Sequence, residues 1–305
     1  MILITEFMDE TAVGRLKAAH ATTYAPELAD AQDDIPAHMV GVQALIVRNR
    51  TQVTAALLEA APDLKCVGRL GVGLDNIDLE ACKARGVEVM PALGANTLSV
   101  AEYVVTNAAI LLRDAYHSKH AMMAGEWPRA QSSGREAGGR VLGLLGFGAN
   151  AQETGRLARA MGMTLIAYDP FLPEDHPAWA DAERGEIADV LAKSDVVSLH
   201  VPLTDKTHHM INTDTLARMK PGSVLVNAAR GGVVDEAALV SAIKAGHIAG
   251  AALDVFETEP LTKDAAEIFK GVSNLILTPH IAGVTQDSNV RVSEMIANLV
   301  LDRLA

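Results

Sequence analysis

At 305 residues, with 49% hydrophobic side chains and only 4% aromatic ones, the chain is long enough for two α/β domains that each bury a core. A formal net charge of −12 argues against a nucleic-acid partner, because phosphate backbones reward clustered Lys and Arg, yet a few local arginines still suffice for a small anionic substrate. Cys66 and Cys82 supply neither a disulfide framework nor a metal-ligand spacing.

The chain runs directly from Met1 into strand-like sequence, with no basic leader or cleavage site. Residues 2–5, 44–47, 66–69 and 87–89 read as buried strands. Helical patterns at 11–19, 54–60 and 79–85 separate them, with turns at Pro62-Asp63 and Gly86. One long helix is expected over 99–117, with Ser99 as N-cap and Glu102 at the third helical position forming a capping box. Its most apolar stretch, 103–112, contains Asn107 and falls far short of a membrane span. A second strand series follows at 141–145, 165–168, 196–199, 224–227, 251–255 and 275–277. An amphipathic helix over 289–304, apolar at Val292, Met295, Ile296, Leu299 and Val300, closes the chain. Strand and helix alternate almost throughout, which implies an α/β fold with two doubly wound parallel sheets. The long helix would bridge two domains, one over 1–98 plus 284–305 and one over 99–283. A soluble cytoplasmic protein without membrane or nucleic-acid partners is expected.

After the strand at 141–145 comes Gly146-Phe147-Gly148-Ala149-Asn150-Ala151, opening a helix through Leu157 and Ala160. This is the G-x-G-x-x-A form of a dinucleotide fingerprint in its strand–turn–helix setting. Gly146 would make the tight turn, and Gly148 would let a pyrophosphate approach the helix N-terminus, where free amides favour an anion. The next strand ends in Asp169. A carboxylate there accepts hydrogen bonds from the adenosine ribose hydroxyls and repels a 2′-phosphate, which favours NAD over NADP.

Three later segments carry ionisable groups at strand ends: Asn227-Ala228-Ala229-Arg230-Gly231-Gly232, Leu253-Asp254-Val255-Phe256-Glu257-Thr258-Glu259-Pro260 and Thr278-Pro279-His280-Ile281. Reducing a keto acid requires a proton donor for the carbonyl oxygen, a cation to polarise it and a group to hold the carboxylate. Histidine suits the first role, and a paired carboxylate favours its imidazolium form. Arginine suits the other two. Taken singly, each residue has an ordinary structural alternative. Their joint occurrence after a nucleotide fingerprint points to catalysis by Arg230, Glu259 and His280. His208-His209 sit in a loop without further ligands at a recognised spacing, so no metal is expected.

On these motifs, and over essentially its whole length, the chain resembles the D-isomer-specific 2-hydroxyacid dehydrogenases. The resemblance implies a Rossmann NAD-binding domain and a flavodoxin-like substrate domain. It implies Arg230 as substrate binder and carbonyl polariser, His280 as acid/base and Glu259 as the histidine's partner. Asp254 and the backbone near Ala228 would hold the nicotinamide carboxamide. His200, Val201, Pro202 and Thr207 would lie along the cofactor. The family often has Arg-Ile where this chain has Ala149-Asn150, which removes one pyrophosphate contact. Glu at 259 fits hydroxyacid chemistry better than that of the related formate dehydrogenases, which pair histidine with Gln. Trp127 resembles the family's arm near a dimer interface, so a homodimer is expected. The rival is a non-catalytic NAD(H)-sensing binding protein of the same fold, separable by turnover with keto acids.

The segment from Arg69 to Asp78 resembles the family's substrate loop, in which Val72 and Gly73 would aim amides at a carboxylate. Arg48, Asn49 and Asn96 resemble residues of the phosphoglycerate-type branch that contact a distal phosphate. With Arg230 and His280 they make the expected substrate set. An arginine at a strand end suits a second anion, with Arg50 as a further candidate. The substrate would be a C3 acid with an anion on carbon 3, such as 3-phosphoglycerate or 3-sulfolactate, or else glycerate/hydroxypyruvate. The (S) label of sulfolactate describes the D-arrangement, because sulfur outranks the carboxylate in naming. The chain ends at Ala305 without the extra regulatory domain of many phosphoglycerate dehydrogenases, which tilts the expectation towards sulfolactate or glycerate.

Overall fold

The computed structural model describes all residues from Met1 to Ala305, in two compact units. The first comprises Met1–Asn96 and Val284–Ala305, and the second Thr97–Gly283.

In the first unit, β1 (Ile2–Ile4), α1 (Glu10–Ala19), β2 (Thr22–Tyr24), α2 (Ile35–His38), β3 (Ala44–Val47), α3 (Ala55–Glu59), β4 (Cys66–Arg69), α4 (Leu79–Ala84) and β5 (Glu88–Pro91) follow one another. The strands form a fully parallel sheet in the order β2-β1-β3-β4-β5. Helices cover both faces, so the central strands are unbroken apolar runs. Side chains alternate between the faces: Ile2, Ile4, Ala44 and Ile46 enter one core, while Leu3, Leu45 and Val47 enter the other. Asp9, Thr54 and Asp78 cap α1, α3 and α4 by accepting first-turn amides. The edge strand β2 has no sequence forecast, because Thr-Thr-Tyr is only half-buried and carries no apolar run.

The second unit contains α5 (Thr97–Arg113), α6 (Lys119–Met123), β6 (Val141–Leu145), α7 (Ala149–Ala160), β7 (Thr164–Tyr168), β8 (Glu183–Arg184), α8 (Ile187–Lys193), β9 (Val196–Leu199), α9 (Thr213–Arg218), β10 (Ser223–Asn227), α10 (Glu236–Lys244), β11 (Ile248–Leu253) and β12 (Leu275–Leu277). All seven strands run parallel in the order β12-β11-β10-β9-β6-β7-β8. The chain winds outwards in both directions from the β6–β9 pair. Ligands of open α/β sheets bind beyond the carboxyl ends of the strands at such a switch point.

The capping box expected at Ser99 does not form: α5 starts two residues earlier and Ser99 is buried inside it. At that start the Thr97 hydroxyl donates to Asn150 Oδ1 at 2.8 Å. The helix also stops at Arg113, short of His117, because Asp114 adopts a left-handed conformation (φ 50°). Nor is it a free-standing bridge. Val104, Ala108 and Leu111 share a core with Leu142, Leu144 and Leu165 of β6 and β7, so α5 is a layer of the second unit. Strand β11 runs 248–253 rather than 251–255, and Asp254 therefore lies just past its end.

The last helix, α11 (Gln286–Leu304), belongs to the first unit, where Val292, Ile296 and Val300 pack among Ile2, Ile4 and Leu16. Gly68 in β4 permits that close packing, since a Cβ there would lie 2.7 Å from Ile296 Cγ2.

Candidate active site

The glycine turn follows β6. Gly146 has φ 88°, and a Cβ on it would lie 2.5 Å from the His200 carbonyl oxygen, so both conformation and space call for glycine. Gly148 is the N-cap of the twelve-residue α7 and offers no side-chain cap, and nothing lies within 4 Å of where its Cβ would be. The first-turn amides of α7 thus face an open cradle, which fits a pyrophosphate. Asp169 Oδ2 accepts from the Phe147 amide at 2.8 Å, while Oδ1 accepts from the amides of Phe171 (2.8 Å) and Leu172 (3.1 Å). With three amides on it the carboxylate keeps one acceptor site on Oδ2 for a further donor, and it anchors the turn between the two glycines. Asn150 Oδ1 accepts from Thr97 and the Ala149 side chain has no polar atom, so main-chain amides are the principal donors this turn offers a pyrophosphate.

His200, just past β9, approaches Ser198 Oγ at 2.9 Å, and burial pushes its imidazole down to about 4, so it is neutral at neutral pH. Val201 and Pro202 follow. Thr207 locks that exposed turn by donating to the Pro202 carbonyl (2.6 Å) and accepting from the Thr204 amide (2.8 Å).

Past β10, the Asn227 side chain accepts from the Ala229 amide and donates to the Arg230 carbonyl, shaping the turn that includes Ala228 and presents Arg230. Arg230 Nη1 donates to the Ala229 carbonyl at 2.6 Å. A Cβ on Gly231 would collide with the Phe256 carbonyl, so glycine allows this turn to approach the segment after β11.

That segment starts at Asp254, 1% exposed. Its Oδ1 accepts from Thr278 Oγ1 (2.6 Å) and the Ile281 amide (2.8 Å), and Oδ2 from the Ala282 amide (2.8 Å). Its carbonyl accepts from the His280 amide at 2.8 Å. Tyr103 Oη lies 2.6 Å from Thr278 Oγ1, tying α5 to the same group. Resemblance gives Asp254 a cofactor role; the structure adds that its carboxylate organises the loop bearing His280. His280 itself sits in the left-handed region (φ 54°), a conformation this network imposes.

Glu259 Oε2 lies 2.7 Å from His280 Nδ1, and Oε1 accepts from the Phe256 amide at 3.0 Å. Burial works to raise the Glu259 carboxyl. The His280 and Phe256 hydrogen bonds, with the charges of His280 and Arg230, outweigh it and hold the group below the usual carboxylate range. With Nδ1 turned to the carboxylate, Nε2 is the nitrogen available to exchange a proton with a ligand. The structure therefore gathers Arg230, Glu259 and His280 in one neighbourhood of the second unit. Sequence reading missed the support beneath them. Glu236 Oε1 accepts from the Glu257 amide (2.7 Å) and Glu257 Oε1 from the Glu236 amide (3.2 Å), bracing the loop that bears Glu259.

In the first unit, Arg48 follows β3. Its amide donates to Glu6 Oε1 (2.7 Å) and its Nη2 to Asn289 Oδ1 on α11 (2.8 Å). Asn49 is exposed, Val72 and Gly73 are half-buried, and Asn96 Oδ1 is shut from solvent without a hydrogen-bond partner. Arg50 is exposed and ion-paired with Asp30, which occupies its charge. Glu6 and Asn289 lay outside the sequence forecast. Glu6 is signalled only by a charge ending an apolar strand, and Asn289 by nothing local. No group of three His, Cys, Asp or Glu side chains is arranged to hold a metal.

The family model described as "D-isomer specific 2-hydroxyacid dehydrogenase, NAD binding domain" matches residues 105–282. The chain is 52% identical to (S)-sulfolactate dehydrogenase of Chromohalobacter salexigens, over 96% of this chain and 94% of that protein. It is 39% identical to hydroxypyruvate reductase of Thermotoga maritima, over 86% and 84% of the two chains. The structure of D-lactate dehydrogenase from Aquifex aeolicus, complexed with NAD and lactic acid, superposes with a TM-score of 0.84 at 28% identity, covering 98% of this chain and 94% of that one.

Proposed function

The chain is an NAD-dependent enzyme of the D-isomer-specific 2-hydroxyacid dehydrogenase family, and from that premise we propose that it interconverts a C3 2-hydroxy acid bearing an anion on carbon 3, first of all (S)-3-sulfolactate, with its 2-keto acid. The observation that carries the chemical part is the 2.7 Å contact between His280 Nδ1 and Glu259 Oε2, with the Arg230 charge acting on the same carboxylate.

Bound NAD would supply the hydride acceptor for carbon 2. Gly146, Phe147, Gly148, Ala149 and Asn150 would hold its pyrophosphate, and Asp169 its ribose. His200, Val201, Pro202, Thr207, Ala228 and Asp254 would line the rest. In the oxidative direction His280 Nε2 accepts the hydroxyl proton and Glu259 stabilises the imidazolium that results; in reduction the proton returns to the carbonyl oxygen. Arg230 holds the carboxylate and polarises the carbonyl. Val72 and Gly73 supply amides to the carboxylate, while Arg48, Asn49 and Asn96 serve the distal anion.

The sulfolactate preference is supported by the 52% identity with a sulfolactate dehydrogenase and by a half-buried guanidinium at Arg48. Phosphoglycerate and glycerate are the alternatives under test. Tyr116, Met122, Met123 and Trp127 are 44–76% exposed, an apolar surface suited to a second copy in a homodimer. A cytoplasmic location is supported by the NAD requirement and two buried free thiols. No helix is long and apolar enough to cross a membrane. NADH oxidation with 3-sulfopyruvate, 3-phosphohydroxypyruvate, hydroxypyruvate and glyoxylate tests the reading. A preference for 3-sulfopyruvate supports it, and equal rates on all four remove the distal-anion assignment.

A further inference from the structure

Glu6 is a carboxylate with 3% exposure at the carboxyl end of β1, and no lysine or arginine side chain is hydrogen-bonded to it. Its partners are backbone amides of a single loop. Oε1 accepts from Arg48 (2.7 Å), Arg50 (3.2 Å) and Thr51 (2.9 Å), and Oε2 also accepts from Arg50 (3.2 Å). Such a concentration of donors on one buried carboxylate is costly to disturb, because each amide it leaves would be stranded without water.

The carbonyls of the same loop are held from the other side. Asn76, 8% exposed, donates from Nδ2 to the carbonyls of Arg48 (3.3 Å) and Thr51 (2.6 Å). Its own carbonyl accepts from the Val53 amide at 2.8 Å. The Thr5 and Thr51 hydroxyls meet at 2.9 Å beneath. Asn76 lies four residues after Val72, so one side chain joins the Arg48–Thr51 loop to the loop proposed to receive the carboxylate.

We propose that Glu6 and Asn76 form a buried clamp that fixes the Arg48–Thr51 loop, acting as positioning residues that set the enzyme's preference for substrates with a distal anion. This rests on the reading of Arg48 as the distal-anion ligand. The clamp sets the backbone from which the guanidinium departs, and Asn289 holds the other end of that side chain. An anion is gripped well only when donor geometry is fixed in advance.

The sign of the effect separates positioning from simple electrostatics. Replacing Glu6 by Gln removes a negative charge near Arg48, which by Coulomb's law alone would tighten the hold on an anion. It also puts an amide NH2 where a carboxylate oxygen accepted, so the loop loses acceptors and shifts.

The experiment measures kcat/KM for 3-sulfopyruvate and for glyoxylate, with NADH, in the unmodified protein and in Glu6→Gln, Asn76→Ser and Arg48→Ala. The readout is the ratio of the two values. The clamp predicts that Glu6→Gln and Asn76→Ser each lower the ratio about tenfold, chiefly through the KM for 3-sulfopyruvate. Asn76→Ser carries the test if Glu6→Gln fails to fold. An unchanged or higher ratio in the clamp variants, with a ratio that collapses in Arg48→Ala, overturns the clamp and leaves the function standing. An unchanged ratio in Arg48→Ala overturns the distal-anion reading, and the clamp with it.

Discussion

Glu259 Oε2 lies 2.7 Å from His280 Nδ1, and the other oxygen of the same carboxylate accepts the Phe256 amide at 3.0 Å. One carboxylate thus fixes the ring of the histidine and is itself fixed by its own loop. His280→Ala is expected to lower kcat by about two to four orders of magnitude while NADH still binds. Turnover together with NADH fluorescence titration checks this, and unchanged turnover removes His280 from the acid/base role.

The pH dependence follows from Glu259. Its carboxyl is held below the usual range, so the ionised partner of His280 is present above the ordinary glutamate value, about 4.3, and is lost only as pH falls through the lower folded value. Any loss of reductive kcat from Glu259 protonation should therefore set in at lower pH than an ordinary glutamate would cause. In Glu259→Gln the histidine loses its charge partner. Reductive kcat should then fall about tenfold or more across the pH range. A variant profile that superposes on the original would contradict the pairing.

Asp169 has a structural duty beside the ribose role proposed for it, since it accepts the Phe147 amide of the glycine turn. Asp169→Ala should weaken NADH binding about tenfold through the turn, as well as narrowing the preference over NADPH. Dissociation constants for both cofactors check it. A variant that loses discrimination but no NADH affinity would show that the turn needs no such anchor.

Gly146→Ala introduces a Cβ against the His200 carbonyl in a backbone region with φ 88°. A loss of about 1–3 kcal/mol is expected, read as a lower Tm. NADH affinity should fall with it. A neutral substitution would mean the turn relaxes freely.

Much of the fold was legible because buried parallel strands announce themselves. Ala44–Val47, Cys66–Arg69, Val141–Leu145 and Val196–Leu199 stand where their apolar runs lie. Edge strands with little burial, Thr22–Tyr24 and Glu183–Arg184, carry no such run and were invisible. The start of α5 misled because Ser99 and Glu102 satisfy a local rule, while the helix already begins at Thr97 and buries Ser99 inside it. In the candidate site, Arg230, Glu259 and His280 stood out because ionisable groups ended strands beside loop glycines. Glu6, Asn289 and the Glu236–Glu257 brace did not, since their significance lies in partners 21 to 241 positions away.

The most direct test of the account is NAD reduction with the separate enantiomers of 3-sulfolactate and with D-lactate, which lacks the distal anion. The account predicts turnover of (S)-3-sulfolactate, none of the (R) form, and a kcat/KM for D-lactate at least about a hundredfold lower. Equal use of both enantiomers, or of D-lactate and (S)-3-sulfolactate, would contradict it.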